Sequence, residues 1–293
     1  MQRKSKIIFT IIFIIEIVVI LLLALGIMHF SKINKKIISE QNELATYITN
    51  SKKDYEEFLQ DYEFYVNIDS KLEALYDEYY TNIAKLEEKI EAGESDRKIA
   101  YLTFDDGPYK LTDKVLDILK ENNIKATFFC IGKTEVDDKY QRIVNEGHVL
   151  ANHTYSHAIT KGLYDSVNSF ISQIEKQEEH LYNITGYRTT LMRFPGGSSQ
   201  AKGLKEDIIN ALHEKGYNYV DWNAETGDGS DAKMAQQGAF EWYSQSMKNQ
   251  KILVLLMHDY SDATVGSLQR IINDLQDKNY LILPLNNKSM MAK

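Results

Sequence analysis

Two histidines four residues apart, His153 and His157, enclose the segment His-Thr-Tyr-Ser-His. On a helical turn or in a compact loop, this spacing directs both imidazoles at one point. Two imidazoles and one carboxylate leave coordination positions open for water and substrate, as in catalytic zinc and non-haem iron sites. The pair is therefore a candidate metal site that needs a carboxylate from another segment.

Adjacent aspartates supply candidates for that carboxylate. Asp105 and Asp106 lie in the segment Thr-Phe-Asp-Asp-Gly-Pro, which follows an apolar run. Neighbouring side chains at the end of a strand point in different directions, so one aspartate can bind a metal while the other accepts protons. The alternative is a solvated turn, because Asp-Gly-Pro is ordinary turn sequence.

The elements that must position these residues form a repeating pattern. Seven short apolar, β-branched runs alternate with amphipathic helical segments, and they cover residues 99–104, 126–131, 148–151, 191–194, 217–222, 252–257 and 281–283. Strand–helix alternation predicts an α/β fold with parallel strands joined by helical crossovers. Seven strands favour a small, incomplete barrel over the eightfold one.

Polar residues follow these runs repeatedly. Asp105 and Asp106 follow the first run, His153 and His157 follow the third, and further residues end or follow the fourth to sixth runs: Arg193, Asp221, Trp222, His258 and Asp259. Chemistry in such a barrel collects at the carboxyl ends of the strands. One such placement is weak evidence because loops are polar anyway. Two carboxylates, three imidazoles and a guanidinium together indicate an active site.

Five ordered segments resemble the motifs of the polysaccharide deacetylase (NodB-homology) carbohydrate esterases. They are residues 103–108, residues 153–157, Arg193-Phe194-Pro195, Asp221-Trp222 and Leu256-Met257-His258. The resemblance covers about residues 99–285 and implies a distorted (β/α)7 barrel. It also implies metal-dependent removal of acetyl groups, usually from N-acetylglucosamine in a cell wall or extracellular glycan.

The resemblance also implies a role for each matching residue. Asp106, His153 and His157 would hold one divalent metal ion, with zinc expected and cobalt, nickel, manganese or iron as alternatives. Asp105 would be the general base and Arg193 would orient it. His258 would be the general acid, and Asp221 would orient His258 and tune its charge. Trp222 and Leu256 would form walls of the acetyl pocket, and the N–H of Gly196 would donate to the oxyanion. One departure is Gly196-Gly197, where the family commonly has an aromatic residue after the proline.

Composition sets limits on the class of protein. The chain is 43% hydrophobic and 26% charged, which is a globular balance. The single cysteine, Cys130, excludes a disulfide framework and a thiolate zinc cluster. A net charge of −8 opposes binding to nucleic acid through simple repulsion.

Residues 1–30 form a predicted membrane anchor. Residues 7–30 contain one charged residue, Glu16, and one histidine, His29. As a helix they span about 36 Å, more than the roughly 30 Å of a hydrocarbon core. A cleaved signal peptide is the alternative, although the apolar run is longer than the roughly 7–15 residues usual there. Basic residues on both flanks nearly balance, so charge leaves the orientation open. A glycan substrate places the body outside the cell, on a single-pass anchor.

Residues 31–98 are predicted to be a helical stalk ahead of the catalytic domain, residues 99–293. No glycine or proline occurs from residue 27 to 92, and apolar positions recur at alternating spacings of three and four. That period suits a coiled coil, which would make the protein a homodimer. It suits equally well a helix that packs on the downstream domain.

Two other functions use the same residues. A metal-dependent phosphoesterase would require more basic residues near the site than the rim motifs supply. A glycan-binding module with Trp222 as its sugar platform would need neither the base Asp105 nor the acid His258. Within the deacetylase interpretation, peptidoglycan is the first expected substrate, and a secreted amino-sugar exopolysaccharide is the second.

Overall fold

The computed structural model describes residues 68–230 and 238–293 of the chain. The predicted anchor, residues 1–30, and residues 31–67 of the predicted stalk lie outside the described residues. In the part that the structure describes, no helix combines the length and the apolar character needed to span a membrane.

Eight strands form one sheet within the described residues. They are β1 (Lys98–Asp105), β2 (Thr127–Cys130), β3 (Val149–Asn152), β4 (Leu191–Met192), β5 (Asn218–Tyr219), β6 (Ala224–Glu225), β7 (Ile252–His258) and β8 (Tyr280–Leu283). The order across the sheet is β5-β4-β3-β2-β1-β7-β6, and β8 pairs with the first half of β1. Every pairing is parallel.

One helix precedes β1, and the others lie in the connections between strands, as parallel pairing requires. The helices are α1 (Ile68–Glu91), α2 (Thr112–Glu121), α3 (Asp137–Asn145), α4 (Val167–Thr185), α5 (Lys205–Glu214), α6 (Ala239–Ser246) and α7 (Asp262–Asp277), with a π-helical turn at Ile159–Leu163 and a 3₁₀ helix at Ser198–Leu204. The end strands β5 and β6 are not paired with each other among residues 68–230 and 238–293. The fold is therefore α/β with an open, incomplete barrel, as the strand count predicts.

The predicted fifth run, residues 217–222, is where the strand prediction is wrong. Only Asn218–Tyr219 of this run pairs with a neighbouring strand, β4. The chain then forms an additional strand, β6, which pairs with β7 at the opposite end of the strand order from β5. Because each pairing involves two residues, neither leaves a period-2 pattern long enough to recognise in the sequence.

Strand β1 divides the core into two layers because its side chains alternate between the two faces of the sheet. Ala100, Leu102 and Phe104 pack in a cluster with apolar residues of α2 and α7. Ile99 and Tyr101 belong to a second cluster on the other face. Each of these five residues is at most 1% exposed, so β1 is buried on both faces, as its continuous apolar sequence requires.

Helix α1 covers the second cluster. Its residues Ile83 and Ile90 are buried there with Ile99, Ile252 and Leu283, which belong to β1, β7 and β8. The predicted stalk is thus helical over residues 68–91, and this part packs on the sheet that follows it. A coiled coil over residues 31–67 stays a prediction.

Glu87 fastens α1 to two distant segments. Its side chain is completely buried, and Oε1 accepts hydrogen bonds from the Tyr101 hydroxyl at 2.5 Å and the Ser289 hydroxyl at 2.6 Å. Oε2 accepts from the backbone N–H of Met290 at 2.7 Å. Burial raises the pKa of Glu87, while these hydrogen bonds oppose the rise. We call this group the Glu87 clasp.

Candidate active site

The predicted site residues meet at the carboxyl ends of the strands. Asp105 is the last residue of β1 and His258 the last of β7, while His153 and Arg193 directly follow β3 and β4. Parallel pairing brings these ends to one edge of the sheet, where sites of such folds form. Asp105 lies directly opposite His258 in the pairing of β1 with β7.

A tight turn at Asp106 makes the side chains of the two adjacent aspartates point in different directions. Asp106 adopts a left-handed backbone with φ of 70°, which is uncommon for a residue other than glycine. The turn is held to the end of β2 because the Asp106 N–H donates to the Phe129 carbonyl, and the Ile131 N–H donates to the Gly107 carbonyl. Asp105 consequently faces Arg193, whereas Asp106 faces the histidines.

Asp106, His153 and His157 form a cluster that fits a metal ion. Oδ1 of Asp106 lies 3.5 Å from His153 Nε2 and 3.3 Å from His157 Nε2. One ligand atom from each of the three residues falls within 4.8 Å of the others. Oδ1 is buried without a hydrogen-bond partner among the described residues, a costly arrangement that a cation between the three groups would resolve.

His153 is prepared as a ligand by its surroundings. Its Nδ1 lies 2.8 Å from the carbonyl oxygen of Arg193, a contact that fixes the proton on Nδ1 and leaves the lone pair of Nε2 for a metal. Burial lowers the pKa of His153 to about 3, despite the nearby Asp106 carboxylate. The ring is therefore neutral at physiological pH, as metal binding requires.

Asp105 forms a buried pair with Arg193. Nη1 of Arg193 donates to Asp105 Oδ1 at 2.8 Å and to the Thr103 hydroxyl at 2.8 Å. Nε donates to the carbonyl of Val220 at 2.9 Å, and the guanidinium side chain is completely buried. Oδ2 of Asp105 faces the cluster, 3.6 Å from His153 Nε2. Burial raises the pKa of Asp105, and Arg193 limits the rise.

The carboxylate that orients His258 is Asp228, which the sequence analysis did not select. His258 Nδ1 lies 3.0 Å from Asp228 Oδ1, and the His258 N–H donates to Oδ2 at 2.8 Å. Burial opposes protonation of His258, but the hydrogen bond and charge of Asp228 outweigh it and raise the pKa of His258 to about 9. Nε2 of His258 points into the site, 3.9 Å from Asp106 Oδ2.

Asp221 has a different role from the predicted one. Its Oδ1 accepts from the backbone N–H of Ser198 at 2.9 Å, and its Oδ2 accepts from the Ser198 hydroxyl at 2.5 Å. Ser198 begins the 3₁₀ helix, so Asp221 satisfies a donor at the start of that helix. The prediction that Asp221 orients His258 is wrong, because both of its oxygens are bonded to Ser198.

The remaining predicted residues lie on neighbouring segments. Gly196 and Gly197 have φ of 72° and 88°, and a Cβ on Gly197 would lie 3.2 Å from the Trp222 ring. The same ring lies 5.7 Å from the Arg193 guanidinium. Leu256 is 7% exposed on β7. Their assignment to the oxyanion site and the acetyl pocket stays a prediction.

Asp228 could have been found by the rule that polar residues follow strands. It stands three residues after Glu225, the last residue of β6. The signal was lost because β6 is too short to recognise, so residues 226–231 resemble an inserted loop. The resemblance assigns this role to Asp221 instead, because Asp221-Trp222 is taken as one of the five family motifs.

Asp259 also lies at this edge, where it buttresses the turn after β1. Its Oδ2 accepts from the Thr112 hydroxyl at 2.6 Å, and the same hydroxyl accepts from the Tyr109 N–H at 2.7 Å. A Cβ on Gly107 would lie 2.1 Å from Asp259 Oδ2. Glycine is therefore required at position 107 so that the turn can approach this carboxylate.

Comparison with known proteins relates this site to one family. A family model described as polysaccharide deacetylase matches residues 92–220. YheN of Bacillus subtilis is 35% identical over 192 residues, which cover 62% of this chain and 65% of YheN. A peptidoglycan-N-acetylglucosamine deacetylase of Bacillus cereus is also 35% identical over 192 residues, covering 63% of this chain and 68% of that protein. The chain thus matches about two thirds of the length of each relative.

A solved structure supports the same relation. The catalytic domain of peptidoglycan N-acetylglucosamine deacetylase from Eubacterium rectale superposes with a TM-score of 0.60 at 30% sequence identity, covering 66% of this chain and 91% of that one. The two share a curled parallel sheet of (β/α) units, a half-barrel. The resemblance drawn from the five motifs is thereby confirmed, and the chain belongs to the polysaccharide deacetylase family.

Proposed function

We propose that the protein is a metal-dependent hydrolase that removes acetyl groups from N-acetylglucosamine residues of a cell-surface polysaccharide, namely peptidoglycan. The observation that supports the activity is the buried Oδ1 of Asp106, which lies between two imidazoles and has no hydrogen-bond donor in the described part of the chain. The Asp105–Arg193 and His258–Asp228 pairs flank it. The substrate is taken from the named relatives of Bacillus cereus and Eubacterium rectale.

The cluster of Asp106, His153 and His157 would hold the metal, and two nitrogens and one oxygen suit zinc. When bound, a divalent cation would supply Lewis-acid activation of the attacking water and of the acetyl carbonyl. Asp105 accepts the proton of that water as general base. Arg193 holds Oδ1 of Asp105 and leaves Oδ2 directed at the site. The N–H of Gly196 donates to the oxygen of the tetrahedral intermediate.

His258 completes the reaction by giving a proton to the departing amine of the sugar. A pKa of about 9 keeps the ring protonated at neutral pH. Asp228 fixes the proton on Nδ1 through its 3.0 Å contact and leaves Nε2 to face the substrate. Without such an acid, the nitrogen would have to leave as an unstable amide anion. The pair of Asp105 and His258 therefore supplies both proton transfers of amide hydrolysis.

The activity is tested by measuring free amine released from N-acetylglucosamine oligomers and from purified peptidoglycan, with and without a chelator. We expect release that the chelator abolishes and added zinc restores. A purified amino-sugar exopolysaccharide, assayed in parallel, tests the choice of polymer. Absence of release from every substrate with any divalent metal would contradict the deacetylase proposal.

Two variants separate the metal site from the acid. Asp106→Ala is expected to lose both the metal and the activity, whereas His258→Ala is expected to keep the metal and lose turnover. Asp138→Ala serves as a matched control, because the Asp138 side chain is 76% exposed. Equal loss of bound metal in the Asp106 and His258 variants would refute these assigned roles.

We also propose that residues 7–30 anchor the protein in the cell membrane with the catalytic domain outside. The basis is the apolar sequence of this segment and the location of the proposed polymer. Protease added to intact cells should degrade the catalytic domain while membrane fractions retain an N-terminal tag. Protection of the domain until the cells are lysed would contradict this orientation.

A further inference from the structure

Two exposed tyrosines flank the candidate active site and have no part in the proposed reaction. Tyr109 is 37% exposed and Tyr260 is 38% exposed, and they are among five large exposed apolar or aromatic side chains of the described residues. Tyr109 follows the turn that contains Asp105 and Asp106, and Tyr260 stands two residues after His258. The loops that hold the proposed base and acid thus each expose an aromatic ring.

The two rings form one surface with His258. The ring centroids of His258 and Tyr260 are 5.2 Å apart. Those of Tyr260 and Tyr109 are 5.5 Å apart in an edge-to-face arrangement at 75°, which is a favourable geometry for aromatic pairs. A ligand group bound at His258 Nε2 must therefore pass close to Tyr260.

Further contacts hold the aromatic pair in position. Nζ of Lys133 lies 3.9 Å from the centroid of the Tyr109 ring and donates a hydrogen bond to the Tyr109 hydroxyl. The backbone N–H of Tyr109 donates to the Thr112 hydroxyl, which in turn donates to Asp259. Tyrosines fixed in this way offer rigid contact area, so binding costs little side-chain entropy.

The chemical groups on this surface suit a sugar ring as the ligand. Rigid rings with hydroxyl groups, together with the ammonium of Lys133, present apolar faces next to hydrogen-bonding groups. A pyranose ring has the complementary character, with C–H groups on its faces and hydroxyls at its edge. Exposed aromatic area beside a reaction centre is also the usual composition of a small-ligand site.

We propose that Tyr109 and Tyr260 form a sugar-binding subsite, which holds the pyranose ring adjacent along the glycan to the residue that is deacetylated. Lys133 hydrogen-bonds the hydroxyl or acetyl oxygen of the same sugar. This inference rests on the proposed function for the identity of the polymer. It adds that Tyr109 and Tyr260 are the residues that contact the neighbouring sugar, so that the preference for oligomers over single N-acetylglucosamine depends on them.

Binding measurements test the subsite apart from turnover. In the full chain with Asp105→Asn and zinc, the dissociation constants of the N-acetylglucosamine tetramer and monomer are measured by calorimetry. We expect the tetramer to bind more tightly than the monomer. Adding Tyr260→Ala or Tyr109→Ala is expected to weaken tetramer binding about tenfold, or about 1.4 kcal/mol. Tyr182→Ala, which removes an equally exposed tyrosine elsewhere, should leave tetramer binding unaltered.

A conservative variant and steady-state kinetics give two further tests of the sugar-binding subsite. Tyr260→Phe retains the ring and should retain tetramer affinity within about twofold. In the chain with Asp105 intact, the ratio of kcat/KM for tetramer over monomer should fall towards one in the alanine variants. This ratio decides the matter if Asp105→Asn does not fold.

Three results would overturn the subsite: equal affinity for tetramer and monomer, unaltered affinity in both alanine variants, or equal losses in Tyr260→Phe and Tyr260→Ala. Failure of the proposed function is a separate result. It would appear as no amine release by the unsubstituted protein, while calorimetry still decides whether the tyrosines bind the oligomer.

Discussion

Two carboxylate groups among the described residues, those of Glu87 and Asp106, are satisfied in opposite ways. In the Glu87 clasp, both oxygens of the carboxylate accept hydrogen bonds from a hydroxyl or a backbone N–H. At the other group, Oδ1 of Asp106 is buried with two imidazole nitrogens nearby and no hydrogen-bond donor among the described residues. Both carboxylates are largely removed from solvent, since Glu87 is 0% exposed and the Asp106 side chain is 19% exposed, and the hydrogen-bond donors around them are what differs.

The difference shows what each site requires from outside the chain. A buried carboxylate that the protein satisfies with its own donors needs nothing further and joins the segments that supply them. A buried carboxylate oxygen that has no hydrogen-bond donor remains unfavourable until a cation binds it. The clasp should thus contribute stability at all times, whereas the Asp106 cluster should contribute stability only with metal.

Metal binding provides the largest expected contrast. Zinc at about a thousand times its dissociation constant should stabilise the folded protein by about 4 kcal/mol. In a domain of this size, that raises Tm by roughly 8–16 °C. Asp106→Asn should abolish the rise, because the only carboxylate of the cluster is lost. Differential scanning fluorimetry with and without chelator measures both values.

Glu87→Ala is the matched control for that experiment, since it should keep the full zinc-induced rise in Tm. The metal-free Asp106→Asn protein should melt no lower than the unsubstituted metal-free protein, because Oδ1 of Asp106 has no hydrogen-bond partner among the described residues for the substitution to remove. A large fall in its metal-free Tm would show that Asp106 is a structural carboxylate like Glu87.

Glu87→Ala gives the next largest effect, and it falls on stability. The substitution leaves the donors of Tyr101, Ser289 and Met290 without their acceptor in a buried place, and each such loss costs about 1–3 kcal/mol. We expect a loss of about 3 kcal/mol in the free energy of unfolding, measured by urea denaturation. Glu88→Ala, one position along on the exposed side of α1, should have little effect. Unchanged stability of the Glu87 variant would mean that α1 is not fastened by the clasp.

The same contrast explains how far the sequence could predict this protein. The sequence reveals His153, His157, Asp105 and Asp106 because their functions restrict residue type and local spacing. Residue type and local spacing can both be read from a single sequence. Glu87 was not recognisable, since its partners come from β1 and from residues 289–290 near the other end of the chain. A helical period predicts that α1 has an apolar face, but it does not say which surface that face covers.

The two aspartates after β5 and β6 show the same limit within the site. Asp221 and Asp228 are seven residues apart, and both lie at the edge where the reaction is proposed. Which of them meets His258 depends on the crossing from β5 to β6, a change from one end of the sheet to the other. Pairings of two residues leave too little pattern in the sequence to locate that crossing.

Asp228→Asn tests the assigned partner of His258. The acid must be protonated, so activity is lost as the pH rises through the pKa of His258, which is about 9. Burial alone would lower that pKa and Asp228 raises it, so the substitution should move the falling limb of the pH–activity profile to lower pH. We expect kcat to fall by about 100-fold at pH 8, with a smaller loss at pH 6. A falling limb at its original pH would exclude Asp228 as the group that tunes His258.

Asp221→Ala should give the smallest effect and is the sharpest counterpart to Asp228. Asp228 accepts hydrogen bonds from His258, Thr226 and Thr264, whereas both oxygens of Asp221 accept from Ser198 at the start of the 3₁₀ helix. Its loss resembles removal of a helix cap, which costs about 1 kcal/mol of stability. Because no hydrogen bond or ion pair within residues 68–230 and 238–293 joins Asp221 to His258, the falling limb of the pH profile should stay where it is. If Asp221→Ala shifted the falling limb as far as Asp228→Asn does, charge at this edge of the sheet would act on the pKa of His258 at long range. The hydrogen bond to His258 would then not explain why Asp228 and Asp221 differ in function.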